Sequence, residues 1–419
     1  MKALVVNVIV SKKENSPIKE MENLLATLDI EIEEILTQNV EVVHNSYYVG
    51  KGFLHQVGCY ARENNIDIIV FNNDLSPLQI RNISDITSKD IMDRSMVIIK
   101  IFLERASSKE AKLQVEMASL KYYASRLIDK DHDYSQVTSG GAGGLQNKGS
   151  GEKEINIKKY LIRKTLKAKE DELKKIVQNR QNQRASRNPF LPVVAIVGYT
   201  NAGKSTLLNN FIRLTKTTKK EEILEENRLF ATLDTTTRFI KVDHHYPFLL
   251  TDTVGFISSL PTTLIKAFRS TLEEIKDASL LIHVVDISSS NYLEEIEVTT
   301  KTLKEIGVGE KEVVYIYNKY DLVNENVKFR IMNDDELLVS LKDEECMEQI
   351  LKLIDRKLED FYVEIELYIP YTNMNVYYEI LNKYSIIEEK EDANGITIIA
   401  QISKNRVKDY KEYFISSLY

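Results

Sequence analysis

The sequence predicts an α/β protein of four successive parts: a small parallel α/β domain, a long antiparallel helical hairpin, a larger α/β domain and a small α+β tail. Three observations carry that prediction. Apolar strand-like runs alternate with amphipathic stretches over residues 1–103, the pattern of a parallel sheet with crossover helices. From 104 the apolar period lengthens to steps of four and three on either side of a glycine-rich segment, as two facing helices require. A second apolar run, VVAIVG (193–198), then opens another strand–helix alternation that continues to about 360.

At 419 residues the chain is too long for one ordinary domain. With 43% hydrophobic and 28% charged residues it has the composition of a globular protein. No apolar run reaches the roughly 18 residues of a membrane-spanning helix, so none is expected. The N-terminal MKALVVNVIVSKKENS has one lysine before a short apolar run, which reads as a first strand rather than a signal peptide. Cys59 and Cys346 lie far apart without a CxxC or histidine pattern, so a reduced, cytoplasmic protein without structural zinc is expected. The net charge of −7 argues against a general nucleic-acid binder. Residues 152–187, however, hold 12 Lys/Arg against 5 Asp/Glu, a local +7 that leaves −14 on the rest. One basic segment on an acidic chain suits a local polyanion contact.

In the first part, ALVVNVIV (3–10), VEVVHNS (40–46) and IDIIVFNN (66–73) read as buried strands, with helices around 17–28, 52–64 and 76–83. Leu113, Met117, Leu120, Ala124 and Leu127 then form one seam; Ile155, Ile162, Leu166, Leu173 and Ile176 form another. Between them TSGGAGGLQNKGSGE (138–152) is too rich in glycine to hold a helix, and two similar seams favour a hairpin over a flexible linker. RNPFLP (187–192) closes the second helix. The tail reads as a strand (YVEIELYIP), a helix (TNMNVYYEILNKYS), a strand pair around Asn394–Gly395 and a last helix (RVKDYKEYF). These readings set the domains at 1–103, 104–188 with a tip loop at 138–151, 189–360 and 361–419.

The 189–360 domain carries chemistry. GYTNAGKST places Gly198, four spacers and Gly203-Lys204-Ser205 between a strand and a helical pattern, LLNNFIRL, which is the phosphate-binding loop in its required context. Gly198, Tyr199, Thr200, Asn201, Ala202, Gly203, Lys204, Ser205 and Thr206 are therefore expected around the phosphates, cradled by backbone N–H groups at a helix N-terminus. Lys204 reaches the β- and γ-phosphates and Ser205 ligates Mg²⁺. Asp252-Thr253-Val254-Gly255 ends the strand PFLLTDT, 47 residues after Ser205. Asp252 suits the Mg²⁺ side and the Gly255 N–H the γ-phosphate. NKYD, Asn318-Lys319-Tyr320-Asp321, follows the strand VVYIY. Asp321 can accept from guanine N1–H and the 2-amino group, whereas adenine would leave the carboxylate unpaired at a cost of roughly several kcal/mol. The ordered set is that of a P-loop GTPase. RLFATLDTTTRF (228–239) is the switch stretch, in which Thr232, Thr235, Thr236 and Thr237 are all candidate Mg²⁺ ligands. VSLKD supplies Ser340-Leu341-Lys342 where a Ser-Ala-small or -basic sequence usually supports the guanine.

Position 256 is unusual. Ras-type GTPases place a glutamine there to orient the attacking water, and here it is Phe256. That predicts slow intrinsic turnover and a water held by another group.

GYTNAGKST, FATLDTTTR and DTVGFI, in this order, resemble the HflX family of ribosome-associated GTPases. Further likenesses lie in LSPLQIRN (75–82), MDRSMVIIKIF (92–102), ERASSKEAKLQVEMASLKY (104–122), AFRSTLEEI (267–275) and the C-terminal IPYTNMNVYYEI, so the resemblance spans essentially the whole chain. The chain departs from the family pattern at Thr235, where a switch proline is usual, at Ser150 and Asn156 beside the glycine loop, and at Leu341. The resemblance implies a Mg²⁺-dependent hydrolase that binds the large ribosomal subunit in its GTP state and splits or rescues stalled ribosomes. It also implies that the glycine loop and hairpin approach ribosomal RNA near the peptidyl-transferase centre. It makes Thr232 the switch ligand to Mg²⁺, beside Ser205 and Asp252, and sets Phe230, Ala231, Thr232, Leu233 and Asp234 against the nucleotide. Lys204, Thr232 and Gly255 are then the expected catalytic set, in a monomer in the cytoplasm. The competing reading is a nucleotide-gated RNA-binding or ribosome-assembly module whose hydrolysis is incidental.

Overall fold

The hydrophobic run Lys2–Val10 forms β1 because residues on both of its faces are covered, from Ala3 through Val8. In the computed structural model, which describes residues 1–11, 17–136, 148–186, 191–215, 237–253, 255–258, 273–323 and 333–416, β1 lies inside a parallel sheet of order β2-β1-β3-β4. The other strands are β2 (Glu31–Val40), β3 (Ile68–Phe71) and β4 (Asp90–Met92). They alternate with α1 (Ile18–Thr27), α2 (Lys51–Glu63), α3 (Pro77–Thr87) and α4 (Arg94–Arg105).

The strand expected at 40–46 is instead β2, which ends at Val40. EIEEILTQNV was masked by its acids, but an edge strand is solvated on one side and tolerates charge. In VEVVHNS, by contrast, Val42 is exposed in a bend. Two sites show how the helices are seated. Ser76 and Gln79 form a reciprocal capping box on α3. Arg94, wholly buried, pairs with Glu20 and donates to Asn72 at 3.0 Å and to Ser258 Oγ at 2.9 Å.

The helices α5 (Lys109–Gln136) and α6 (Lys148–Ser186) run antiparallel, since Lys109 pairs with Glu172 and Glu116 with Lys169. Leu113 and Met117 of the first seam are buried, and Ile162, Leu166, Leu173 and Ile176 of the second are half-buried. Ile157, Tyr160 and Leu161 between them are exposed. Residues 148–152, assigned to the glycine tip on composition, belong to the first turn of α6. Glycine is least costly there, because the first N–H groups have no intrahelical partner in any case. The rest of the tip, 138–147, and Arg187–Phe190 of the closing segment lie outside the described residues.

The chain divides into two units: Met1–Arg180 with Arg228–Leu233 and Ser258–Arg269, and the remainder. The second unit is built on a six-stranded sheet of order β10-β9-β8-β5-β7-β6. Its strands are β5 (Val193–Gly198), β6 (Thr237–Ile240), β7 (Phe248–Asp252), β8 (Leu280–Asp286), β9 (Glu312–Asn318) and β10 (Glu336–Leu338). All pairings are parallel except β6–β7. The helices α7 (Lys204–Leu214), α8 (Tyr292–Glu305) and α9 (Cys346–Leu358) complete this part.

The tail forms an antiparallel sheet of order β12-β13-β11-β14, from β11 (Tyr362–Pro370), β12 (Ser385–Glu391), β13 (Gly395–Ser403) and β14 (Phe414–Ser416), with α10 (Met374–Lys383). The helix expected over 406–414 is a 3₁₀ segment, Val407–Tyr413, that buries Tyr410 and delivers β14 to the free edge of β11. Pairing to that edge outweighs local helix propensity. One continuous hydrophobic core runs from Val194 and Leu208 through Ile350 and Ile354 of α9 to Leu367 and Ile402.

Candidate functional site: a guanine-nucleotide pocket

Gly198, Asp252, Asp286 and Asn318 are the last residues of four neighbouring parallel strands, so their ends share one edge of the sheet. That edge is where open α/β sheets bind ligands.

The loop after β5 starts α7 at Gly203, whose φ of +107° suits glycine. A Cβ there would lie 2.2 Å from Asn318 Nδ2. Asn318 joins three motifs. Its Nδ2 donates to Ala202 O at 2.8 Å, and its Oδ1 accepts from Leu341 N at 3.0 Å. Asn210 of α7 fixes the other side of Leu341, donating to its carbonyl at 2.8 Å. Leu341 is 3% exposed and turns its side chain into the core, so the unusual residue changes the packing and leaves its backbone in place.

Asp321 Oδ1 accepts from Ser340 Oγ at 2.9 Å, and Oδ2 meets Lys342 Nζ at 2.8 Å. The Lys342 hydrogen bond first, and then that of Ser340, hold the carboxyl below its ordinary range. It is therefore an acceptor at neutral pH, as recognition of two guanine N–H groups requires. Lys319 adopts φ +66°, and its ammonium meets Asp286 Oδ2 at 2.6 Å. Tyr320 is half exposed.

On the phosphate side Lys204 is buried and donates to Tyr199 O at 2.6 Å. Burial pushes its ammonium down to about 8, with Asp252 opposing and Lys319 adding to the shift. Ser205 and Thr206 are half-buried in the first turn of α7, and Asn201 takes φ +61° in the loop. Asp252 is fully buried, its Oδ1 accepting from Thr253 N at 2.9 Å, while Thr253 Oγ1 donates to Ile196 O at 2.6 Å.

The DTVGF segment is zipped to the loop by backbone. Phe256 N donates to Gly198 O at 3.1 Å, and Phe256 O accepts from Thr200 N at 2.8 Å. The Phe256 side chain is 2% exposed. It is a core residue whose main chain anchors the segment, and this places Gly255 beside Thr200 and Lys204. A Cβ on Gly255 would lie 2.8 Å from Thr200 Cγ2 and 2.9 Å from Lys204 Nζ.

Gly198 through Thr206, Asp252, Thr253, Gly255, Asn318 through Asp321 and Ser340 through Lys342 therefore lie in one unit. Phe230, Ala231, Thr232, Leu233, Asp234 and Val254 lie outside the described residues. Sequence reasoning passed over Asp286, Asn210 and His283. Asp286 carried a signal, since it ends the apolar strand LLIHVVD at the sheet edge that binds ligands. His283, buried in β8 against Tyr315, is pushed down to about 3 by burial and by Lys204, and is a neutral core residue.

Family models described as GTP-binding GTPase N-terminal, GTP-binding GTPase Middle Region and 50S ribosome-binding GTPase match residues 15–103, 105–187 and 193–319. A GTPase HflX of Caldanaerobacter subterraneus subsp. tengcongensis is 36% identical over 414 residues, 98% of this chain and 93% of the relative. The chain belongs to the HflX family of GTPases. The HflX of Escherichia coli is 34% identical over 325 residues, 77% of this chain and 74% of its own. A crystal structure of a GTP-binding protein from Sulfolobus solfataricus in complex with GDP covers 86% of this chain and 99% of its own, at 21% identity and a TM-score of 0.43. No described helix of this HflX-family chain is long and apolar enough to cross a membrane.

Proposed function

We propose that this HflX-family GTPase hydrolyses GTP in the pocket at the β5–β9 sheet edge and binds the large ribosomal subunit while GTP is bound. The observation that carries the nucleotide part is Asn318, which ties Ala202 of the phosphate loop to Leu341 of the guanine loop. Guanine lies against Lys319 and Asp321, with Tyr320, Ser340, Leu341 and Lys342 forming its rim. The phosphates lie on the amides of Gly198–Thr206, with Lys204 and the Gly255 N–H at the γ-phosphate.

A hydroxyl and a carboxylate, Ser205 and Asp252, are hard oxygen donors of the kind Mg²⁺ takes together with substrate phosphates. Among the described residues no cluster of three His, Cys, Asp or Glu side chains could hold a metal alone. Mg²⁺ held by Ser205 and Asp252, with Thr232 the further ligand that the family resemblance implies, would neutralise charge developing on the phosphates. Lys204 would stabilise the same charge. Its buried ammonium, with a pKa of about 8, is strengthened by the anion it meets. Water attacks the γ-phosphorus, the bond to the bridging β-oxygen breaks, and GDP and phosphate leave.

Two features support the ribosomal partner. One is the 50S ribosome-binding description of the family model over 193–319. The other is the row of exposed Arg163, Lys164, Lys167, Lys174 and Lys175 along α6, able to neutralise RNA phosphates. We place the protein in the cytoplasm as a monomer, with 1–103, 104–188, 189–360 and 361–419 as its working parts and the hairpin tip directed at ribosomal RNA near the peptidyl-transferase centre. Splitting or rescue of stalled ribosomes is the proposed outcome of GTP-state binding.

The test is co-sedimentation with 50S subunits in the presence of a non-hydrolysable GTP analogue, GDP or no nucleotide, alongside GTP turnover with and without subunits. Binding that follows the analogue, with stimulated turnover, is expected. Turnover unchanged by subunits across a wide salt range would sink the enzyme-switch reading, and retained analogue-dependent binding would then favour the RNA-binding module.

A further inference from the structure

Hydrolysis needs a group that holds the attacking water against the γ-phosphorus, and Phe256 has no side-chain atom for that task. Its backbone is also committed, to Gly198 and Thr200. The same corner holds a hydroxyl that makes no hydrogen bond among the described residues. Thr200 is 7% exposed, and its Oγ1 is buried without a hydrogen-bond partner among the described residues. A buried hydroxyl left unpaired is unfavourable, and such groups are rare unless a ligand or chemistry uses them.

Thr200 lies beside Gly255 and Lys204, the two residues proposed above to meet the γ-phosphate. Its Cγ2 and Cα lie 2.8 Å and 3.1 Å from the point a Cβ on Gly255 would occupy, and Lys204 Nζ lies 2.9 Å from that point. Thr200, Gly255 and Lys204 thus pack directly against one another. A side chain at 255 would clash with both neighbours.

We propose that the Thr200 hydroxyl is a catalytic group of GTP hydrolysis, taking the water-holding place that Phe256 leaves open. A hydroxyl has one donor and two acceptor positions, so Oγ1 can accept from the attacking water while donating to a γ-phosphate oxygen. The water oxygen bonds to the γ-phosphorus, and the bond to the bridging oxygen breaks with its electron pair leaving on GDP. The water proton ends on the released phosphate, and Thr200 emerges unchanged. This inference rests on the γ-phosphate placement proposed above.

The experiment compares full-length wild type, Thr200→Val and Thr200→Ser. Valine keeps the shape and removes the hydroxyl, and serine keeps the hydroxyl and removes a methyl. Single-turnover hydrolysis at saturating GTP should fall about 100-fold in Thr200→Val, the size of losing one transition-state hydrogen bond, and by less than about threefold in Thr200→Ser. Both variants should bind GDP and a non-hydrolysable GTP analogue within about threefold of wild type. Thr200→Val alone should lose the tightening of GDP binding by aluminium fluoride. Wild-type turnover in Thr200→Val overturns the inference. Equal loss of turnover and of GDP affinity in that variant also overturns it, because the group would then serve binding alone. If Thr200→Val does not fold, Thr200→Ala replaces it, read against Thr200→Ser in the same way. Failure of the wild-type protein to bind the GTP analogue would instead refute the phosphate placement.

Discussion

The Lys319 ammonium meets Asp286 Oδ2 at 2.6 Å while the Lys319 backbone is held at φ +66°. A non-glycine residue in that region persists where its surroundings over-determine it. Asp286 supplies that constraint from the end of the neighbouring strand, and its Oδ1 is occupied by Ser288 N and Oγ. Asp286 is therefore expected to position Lys319 for the guanine slot proposed above. Asp286→Ala should raise the Kd for GDP about tenfold, near 1.4 kcal/mol, mostly through faster release. Stopped-flow displacement of a fluorescent GDP measures it, and an unchanged release rate would remove Asp286 from the site.

Leu341 binds through its backbone and packs through its side chain. Leu341→Ala should lower unfolding free energy by about 2–5 kcal/mol, as for other buried leucines. GDP affinity at low temperature should stay within about threefold of wild type, since the backbone bonds to Asn318 and Asn210 are retained. Denaturant melts and equilibrium titrations separate the two effects.

With Lys204 at the phosphates as proposed, nucleotide binding is expected to depend on pH. Burial sets its pKa at about 8 before the phosphates arrive, and their negative charge raises it once they are bound. Binding therefore takes up a proton above pH 8 and none well below it. Affinity should be level below about pH 7 and fall towards tenfold per unit as pH rises beyond 8, until the raised pKa of the complex is reached. GDP titrations from pH 6.5 to 9.5, with proton uptake followed in weakly buffered solution, check the sign.

The Asp321 carboxylate is fixed by Ser340 and Lys342 as an acceptor for paired N–H groups. Asp321→Asn offers one acceptor and one donor, which matches xanthine, where a carbonyl replaces the 2-amino group. GTP affinity should drop by about 100-fold or more, while xanthosine triphosphate gains affinity. Competition binding with the two nucleotides decides it, and an unchanged preference for guanine would remove Asp321 from base recognition.

Glycines, lysine, serine and aspartate at fixed spacings determined the phosphate and guanine motifs by sequence alone, because backbone approach and hydrogen-bond valence admit few residue types there. Periodicity likewise determined the parallel N-terminal sheet and the two facing helices. It failed at β2, where an edge strand keeps its charge, and at Val407–Tyr413, where a helix-like pattern yields to an open sheet edge. Tertiary structure alone decided that Leu341 turns inward and that Asp286 meets Lys319. It also decided that Phe256 is an anchored core residue and that Thr200 keeps a buried hydroxyl without a described partner. Each of these depends on where strands distant in sequence bring side chains together. Local spacing reports the allowed chemistry of a segment, and only the packed sheet sets which groups share its edge.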